Sequence, residues 1–411
     1  MSERKILCLS TSNYDSVPTR KQNVMNRLTD ADILYVDPPV TWIAPLRDPA
    51  ARGRLSAYRK GGRPGKGGVT VYASRPVLPF YNKQRRINRH NQKKMALYLA
   101  DILKEHGFGT DFYVWCYSPA SADLIAPLAC ALGIEEEALW TRTIYDCVDR
   151  HSAYPGLIDP AVVDGMERDL AKNAGVVFAT ADGLARRLSA WNSNTHLIPN
   201  GVDYELFSRV ADMTSKPDRP LTLGFVGMLQ ECIDYDAIRA AARAFPEGRI
   251  VLIGGVLPGV DLNWLNDYPN VMHLGLVSQA QLPNLMADFH ACLNVFAQNE
   301  LSKHVSPLKF YEYLATGKPV VSTPYPLQVQ AYRSCIYIGD TTEEFVAKCA
   351  EAAAEPQNDP RKAERMLIAG SASWDERLKE MRAVLGWGGA AIHSDSLRSI
   401  AIHGGKNETD R

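Results

Sequence analysis

Apolar runs of three to six residues alternate along the chain with longer stretches in which apolar residues recur at helical spacing. In the first half the runs fall at 5–10, 33–36, 69–73, 112–115, 143–146, 176–179 and 196–199, and each reads as a strand. Helical spacing fills 84–106, 160–172 and 183–191 between them. After a polar interruption the pattern restarts, with strands at 221–226, 250–253, 271–274, 291–295 and 320–322. Helices are predicted at 234–244, 279–287, 307–315, 342–355, 361–369 and 374–385. Strands that alternate with helices of this length imply parallel sheet with crossover helices.

Two such series give two domains, in line with a length of 411 residues. The expected division is a first Rossmann-like domain over 1–207, a linker over 208–220 (SRVADMTSKPDRP) and a second Rossmann-like domain over 221–387, whose last helix packs back on the first. The tail over 388–411 contains Gly, Ser and His without a period and is expected to be disordered. The fold class is thus α/β, two doubly wound domains facing across a cleft. Ligands of such sheets bind outside the carboxyl ends of the strands.

Composition narrows the class without naming a chemistry. Hydrophobic residues make up 46% and charged residues 22%, as in globular proteins. The opening MSERKILCLSTS has an apolar run of strand length, shorter than the core of a signal peptide, and no run reaches the roughly 18 apolar residues of a membrane span. A cytoplasmic location is expected. The eight cysteines form no CxxC pair and mostly sit in apolar runs, the pattern of buried free thiols; no metal or other cofactor is expected.

The stretch 306–321, SPLKFYEYLATGKPVV, carries the most chemical information. Pro307 suits a first helical turn and Gly317 a helix end. The N-terminus of that helix presents free N–H groups and a positive dipole end to a diphosphate. Lys309 adds a point charge there, and Glu312, one turn on, is placed to accept bonds from two ribose hydroxyls. The plainer reading is a helix–strand unit with Lys309 and Glu312 on its wet face.

This segment resembles the donor-binding motif of GT-B glycosyltransferases of the family-4 type. The resemblance implies that Glu312 holds the nucleotide ribose, with Ser306, Leu308 and Lys309 beside the donor. Three other pieces are similar in order and spacing: LIPNGVDYELF at 197–207, GFVGML at 224–229, and VLIGG followed by the stretch 270–296. They imply Gly227 and Met228 near the donor and the backbone of Leu276 and Val277 at the nucleobase. In the retaining pattern a second glutamate lies eight residues before the ribose one; here that position is His304, with Glu300 out of register. The resemblance therefore leans towards an inverting, metal-independent transfer.

The catalytic candidates lie at 143–156, TIYDCVDRHSAYPG, just after a buried strand. An inverting transfer needs a base for the acceptor's proton, and a carboxylate at a strand end suits that role. With the loop VPTRKQN at 17–23, this stretch is similar to glucuronosyltransferases of the xanthan-assembly type and to other exopolysaccharide and teichuronic-acid enzymes. That similarity assigns the base to Asp149, leaves Asp146 to prop the loop, and makes His151 an alternative base. Against it stands a structural role for Asp149 as a helix cap or as an ion pair with Arg150. Asp234 and Asp236 are read as a helix cap, not a metal pair. A cation such as Lys303 or Arg20 would suit a uronate donor.

Charge alters the picture in one respect. The net charge is zero, yet fifteen Lys and Arg residues fall between Val40 and Glu105 against Asp48, Asp101 and Glu105. Lys83, Arg85, Arg86, Arg89, Lys93 and Lys94 crowd one segment after the apolar RPVLPFY, and TWIAPL lies upstream. Cations beside apolar residues suit an anionic membrane surface, and a solvated helix face is the plainer reading. Nucleic acid is not implied, since no binding module accompanies the charge.

The expected function is transfer of a sugar from a nucleotide donor, UDP-linked, to a lipid-linked or polysaccharide acceptor at the inner face of the plasma membrane. The alternatives are a nucleotide-sugar epimerase of the same fold or an inactive membrane-attached scaffold. Epimerases of this fold carry a GTRPE-like turn after the first strand, where this chain has TSNYDSVPTR. A scaffold has no need of Lys309 and Glu312 together.

Overall fold

In a computed structural model the described residues are 4–46, 48–49, 51–154, 156–213, 220–299, 302 and 306–387. They form two α/β units. The first comprises residues up to Gly201 with Ser278–Leu282 and the described part of Gln298–Leu308; the second comprises Val202–Val277, Pro283–Ala297 and the described residues from Lys309.

The first unit is built on an eight-stranded sheet: β1 (Arg4–Leu9), β2 (Ala31–Val36), β3 (Arg63–Pro64), β4 (Val69–Tyr72), β5 (Tyr113–Cys116), β6 (Thr143–Cys147), β7 (Val176–Ala179) and β8 (Thr195–Leu197). Their order is β3-β4-β2-β1-β5-β6-β7-β8, parallel except for the edge pair β3–β4. The sheet reverses direction between β1 and β5, so the crevice for a ligand opens beyond the ends of those strands. β5 and the last four residues of β1 are continuous apolar runs, as strands covered on both faces tend to be, whereas β6 carries the buried Asp146. Helix Arg85–Glu105 buries Met95, Ala96, Leu99 and Leu103 on the sheet and turns Arg86, Arg89, Lys93 and Lys94 outwards.

The second unit has six parallel strands: β9 (Thr222–Val226), β10 (Arg249–Ile253), β11 (Val271–His273), β12 (Ala291–Asn294), β13 (Val320–Ser322) and β14 (Tyr337–Ile338). The order β11-β10-β9-β12-β13-β14 is the doubly wound dinucleotide-fold order, with its reversal between β9 and β12. Arg365, fully buried, donates to the Glu355 carboxylate and to the carbonyls of Gly317 and Cys335, so it ties the helix Pro360–Ser371 to the start of β13. Gly317 itself has φ 68°, the left-handed conformation of a helix C-terminus.

The sequence pattern placed most strands to within a residue or two. It missed the helices Arg20–Arg27, Ala51–Ala57 and Ile125–Leu132 and the short edge strands β3 and β14. The helix expected over 279–287 is a 3-10 turn at Gln279–Gln281 followed by Leu282–Met286. Within the expected linker, Arg209–Asp212 forms a 3-10 turn anchored by buried Val210, and 214–219 lie outside the described residues, as does the tail 388–411. Of the cysteines, seven are buried and Cys130 is exposed, all of them free. No helix among the described residues is long and apolar enough to cross a membrane.

Candidate active site

In the second unit six of the expected donor residues, Gly227, Met228, Leu276, Val277, Lys309 and Glu312, lie beyond or beside the strands of the sheet. Helix Leu308–Ala315 begins directly after Pro307, as the missing proline N–H favours. Its Tyr313 hydroxyl accepts from the Val226 N–H (2.7 Å) and donates to the Val226 carbonyl (3.0 Å). That pair of hydrogen bonds to the last residue of β9 sets the helix, and with it Glu312, relative to the Gly227 turn. Glu312 is almost fully buried, and both of its carboxylate oxygens receive the Lys309 ammonium, at 2.8 and 3.0 Å. The carboxylate is thus fixed in place by a cation that is itself partly exposed.

The turns after β9 and β10 interlock. Gly227 N–H donates to Ile253 O, and Leu229 N–H to Gly255 O, each at 2.8 Å. A Cβ on Gly254 would lie 1.8 Å from the Gly227 carbonyl oxygen, so only glycine lets the two turns meet. Met228 and Leu276 flank Gly255, and both are exposed together with Val256, Leu257 and Leu274. Val277 is half-buried beside them. Exposed apolar side chains around a glycine turn offer a flat base a face to stack on. Ser306 is fixed by Asn200, whose side chain donates to the Ser306 carbonyl at 2.7 Å; it and Leu308 group with the first unit, apart from Lys309 and Glu312. Glu300, Lys303 and His304 lie outside the described residues.

In the first unit, β6 delivers Asp146 into the core, where Arg20 Nε donates to both carboxylate oxygens at 2.9 and 3.0 Å. Arg20 Nη1 reaches the carbonyls of Ile198 and Pro199, and Trp115 Nε1 donates to Asp146 at 3.3 Å. Asp146 thus holds the loop, and Arg20 is spent on it, not on a substrate carboxylate. The helix carrying Arg20 is announced by Thr19 and Gln22, a reciprocal capping box that sequence inspection could have used.

Asp149 neither caps a helix nor pairs with Arg150, whose guanidinium turns to Ser152 (3.5 Å). One of its oxygens accepts from the Tyr154 hydroxyl at 2.6 Å. Its edge is accessible, yet the carboxyl is packed within protein, and that burial raises its pKa; Tyr154 and then Lys21 oppose the rise. Lys21, missed from sequence, is buried over the Tyr117 ring, and burial lowers its pKa against the pull of Asp149 and Asp146. Burial brings His151 down to about 4, helped by Lys21 and opposed by a bond to the Tyr117 main chain, so its ring is neutral at pH 7.

His151 also lines a cavity of about 240 Å³ beyond the ends of β1, β2, β4 and β5. Thr11, Asp37, Ser74, Gln92 and Ser118 supply polar wall. His151 Nε2 is buried without a hydrogen-bond partner among the described residues. Asp234, as expected, caps its helix by accepting from Ala237 N–H (2.9 Å).

Residues 235–383 match the family model described as glycosyl transferase-like. A teichuronic acid biosynthesis glycosyltransferase of Bacillus subtilis is 27% identical over 259 residues, 57% of this chain and 64% of that one, so the match spans less than two thirds of the relative. Sucrose-phosphate synthase from Thermosynechococcus elongatus superimposes with a TM-score of 0.65 at 14% identity, over 93% of this chain and 98% of that one. Anabaena HepE in complex with UDP and glucose gives 0.63 at 13%, over 93% and 99%. At such identities these structures speak for the fold alone. Two doubly wound sheets and these superpositions give the chain the GT-B fold, and its second unit is similar to the glycosyl transferase-like family model.

Proposed function

We propose that the protein transfers a sugar from a nucleotide donor, UDP-linked, to a hydroxyl of a lipid-linked or polysaccharide acceptor in the assembly of a cell-surface polymer. The observation that carries the reading is the buried Glu312 carboxylate held by Lys309 one turn into a helix that starts at Pro307. The relative named for teichuronic acid biosynthesis and the Anabaena structure holding UDP support the polymer and the donor base respectively.

The transfer is read as metal-independent and inverting. The acceptor oxygen attacks the anomeric carbon, the bond to the diphosphate breaks with its electron pair, and the acceptor proton passes to Asp149, with His151 as the alternative base. Substituting Glu312→Ala removes two charged hydrogen bonds to the ribose, about 3 kcal/mol, and weakens UDP binding roughly a hundredfold. Calorimetric titration of UDP into the wild-type and variant proteins measures this. Unchanged affinity would sink the donor assignment.

Docking on the anionic inner face of the plasma membrane belongs to the same reading. Lys83, Arg86, Arg89, Lys93 and Lys94 are exposed, whereas Arg85 is engaged by Asp123 (2.9 Å) and Asp169 (2.6 Å) and drops out of the set. At about 1 kcal/mol per cation, replacing Lys83, Arg86, Lys93 and Lys94 by glutamine lowers binding to phosphatidylglycerol-containing vesicles by a hundredfold or more. Sedimentation with those vesicles and with neutral ones reads the effect; equal binding by both proteins would exclude this surface.

A further inference from the structure

Phe80 is the one described residue other than glycine with a positive φ, 65°. L-residues other than glycine avoid that region because Cβ crowds the following carbonyl. The strain does not serve core packing, since the ring is 42% exposed. Surroundings hold the turn in place. Asn91 receives the Leu78 N–H (2.9 Å) and donates to the Leu78 carbonyl (3.0 Å), and the Phe80 carbonyl accepts from Lys83 and Gln84. Strained residues that present a side chain to solvent cluster at ligand sites.

The ring stands on a groove of about 360 Å³ whose wall includes Ile43, Ala44, Pro79, Leu157 and Ile158. Main-chain bonds from Val77 N–H to Val40 and from Trp42 N–H to Val77 bring the two apolar segments side by side, and Trp42, Leu46 and Leu78 are exposed there. Tyr81 and Asn82 line both this groove and the polar cavity that His151 faces. A pocket of mixed polar and apolar lining and a largely apolar groove, with Asp48 and Thr41 also in its wall, therefore adjoin within one unit at Tyr81 and Asn82, and exposed Lys83 and Arg86 follow beside the adjoining helix.

We propose that the acceptor is an amphiphile: its sugar occupies the polar cavity, and its hydrocarbon chain lies in the groove between Ile43, Phe80 and Leu157. This rests on the glycosyl-transfer reading and commits it to the lipid-linked acceptor. The nearby cations complement the anionic surface from which such a chain emerges.

The test compares maltose with dodecyl maltoside below its micellar concentration, titrated into the full chain. The wild-type protein is expected to bind the dodecyl compound at least tenfold more tightly than maltose. Phe80→Gly and Ile43→Ser, singly and together, reduce that gain to less than threefold. Because glycine accepts a positive φ, Phe80→Gly keeps or raises the thermal midpoint, whereas a ring needed only for packing would lower it. UDP affinity, measured in the same samples, stays unchanged and reports separately on the donor site. No gain from the chain, or a gain that survives both substitutions, would overturn the proposal.

Discussion

Asp149→Asn is expected to lower turnover by about two to four orders of magnitude, the range for loss of a general base, with little change in stability. Asparagine keeps the shape and can still accept from Tyr154, which donates to Asp149 at 2.6 Å. Burial raises the Asp149 pKa above its ordinary 3.8. The carboxylate is the active form, so wild-type activity falls as the pH drops through that raised value. Lys21 pulls the same pKa down, so Lys21→Met moves the acid limb of the pH–rate profile to higher pH. If His151 is the base instead, Asp149→Asn leaves most turnover intact and His151→Gln removes it. For His151 the folded pKa is about 4 against 6.5, so the neutral ring favours folding above 6.5 and that contribution is lost as the pH falls towards 4. Initial rates of the two variants between pH 4 and 8, with circular dichroism at each pH, separate loss of base from loss of fold.

The second large effect concerns stability. Arg20→Ala leaves Asp146 fully buried with, among the described residues, the Trp115 indole as its remaining side-chain donor. Breaking a buried ion pair from one side costs about 3–5 kcal/mol. For a unit of this size that lowers the thermal midpoint by roughly 10 °C. Arg20 also holds the Ile198 and Pro199 carbonyls, so the loss includes the end of the first sheet. The double variant Arg20→Met, Asp146→Leu removes both charges and is expected to recover most of the loss, because an apolar pair needs no compensation. Thermal unfolding followed by tryptophan fluorescence distinguishes the two cases. A single variant as stable as the wild type would remove Asp146 from the role given to it here.

Fold class was legible because parallel strands covered on both faces are mainly apolar, as in ILCL of β1 and YVWC of β5. The helix Leu308–Ala315 was legible through Pro307 and Gly317, residues whose backbone restrictions act locally. Short elements were not. Arg20–Arg27 is polar along most of its length, yet Arg20, Lys21, Gln22 and Asn23 are buried by what packs around them, which hydrophobic periodicity misses.

By itself the sequence determined the two α/β series, the Lys309–Glu312 pair one turn apart and the crowding of cations after Val40, because each depends on neighbours along the chain. Tertiary structure decided which charges are free. Asp146 and Arg20 are 126 positions apart and cancel each other; Arg85 is taken by Asp123 and Asp169. Only folding set Lys21 near Asp149, turned His151 to the cavity and brought that cavity beside the groove that Phe80 lines. Those relations depend on distance through space, which a parallel sheet fixes by strand order and which spacing along the chain does not encode.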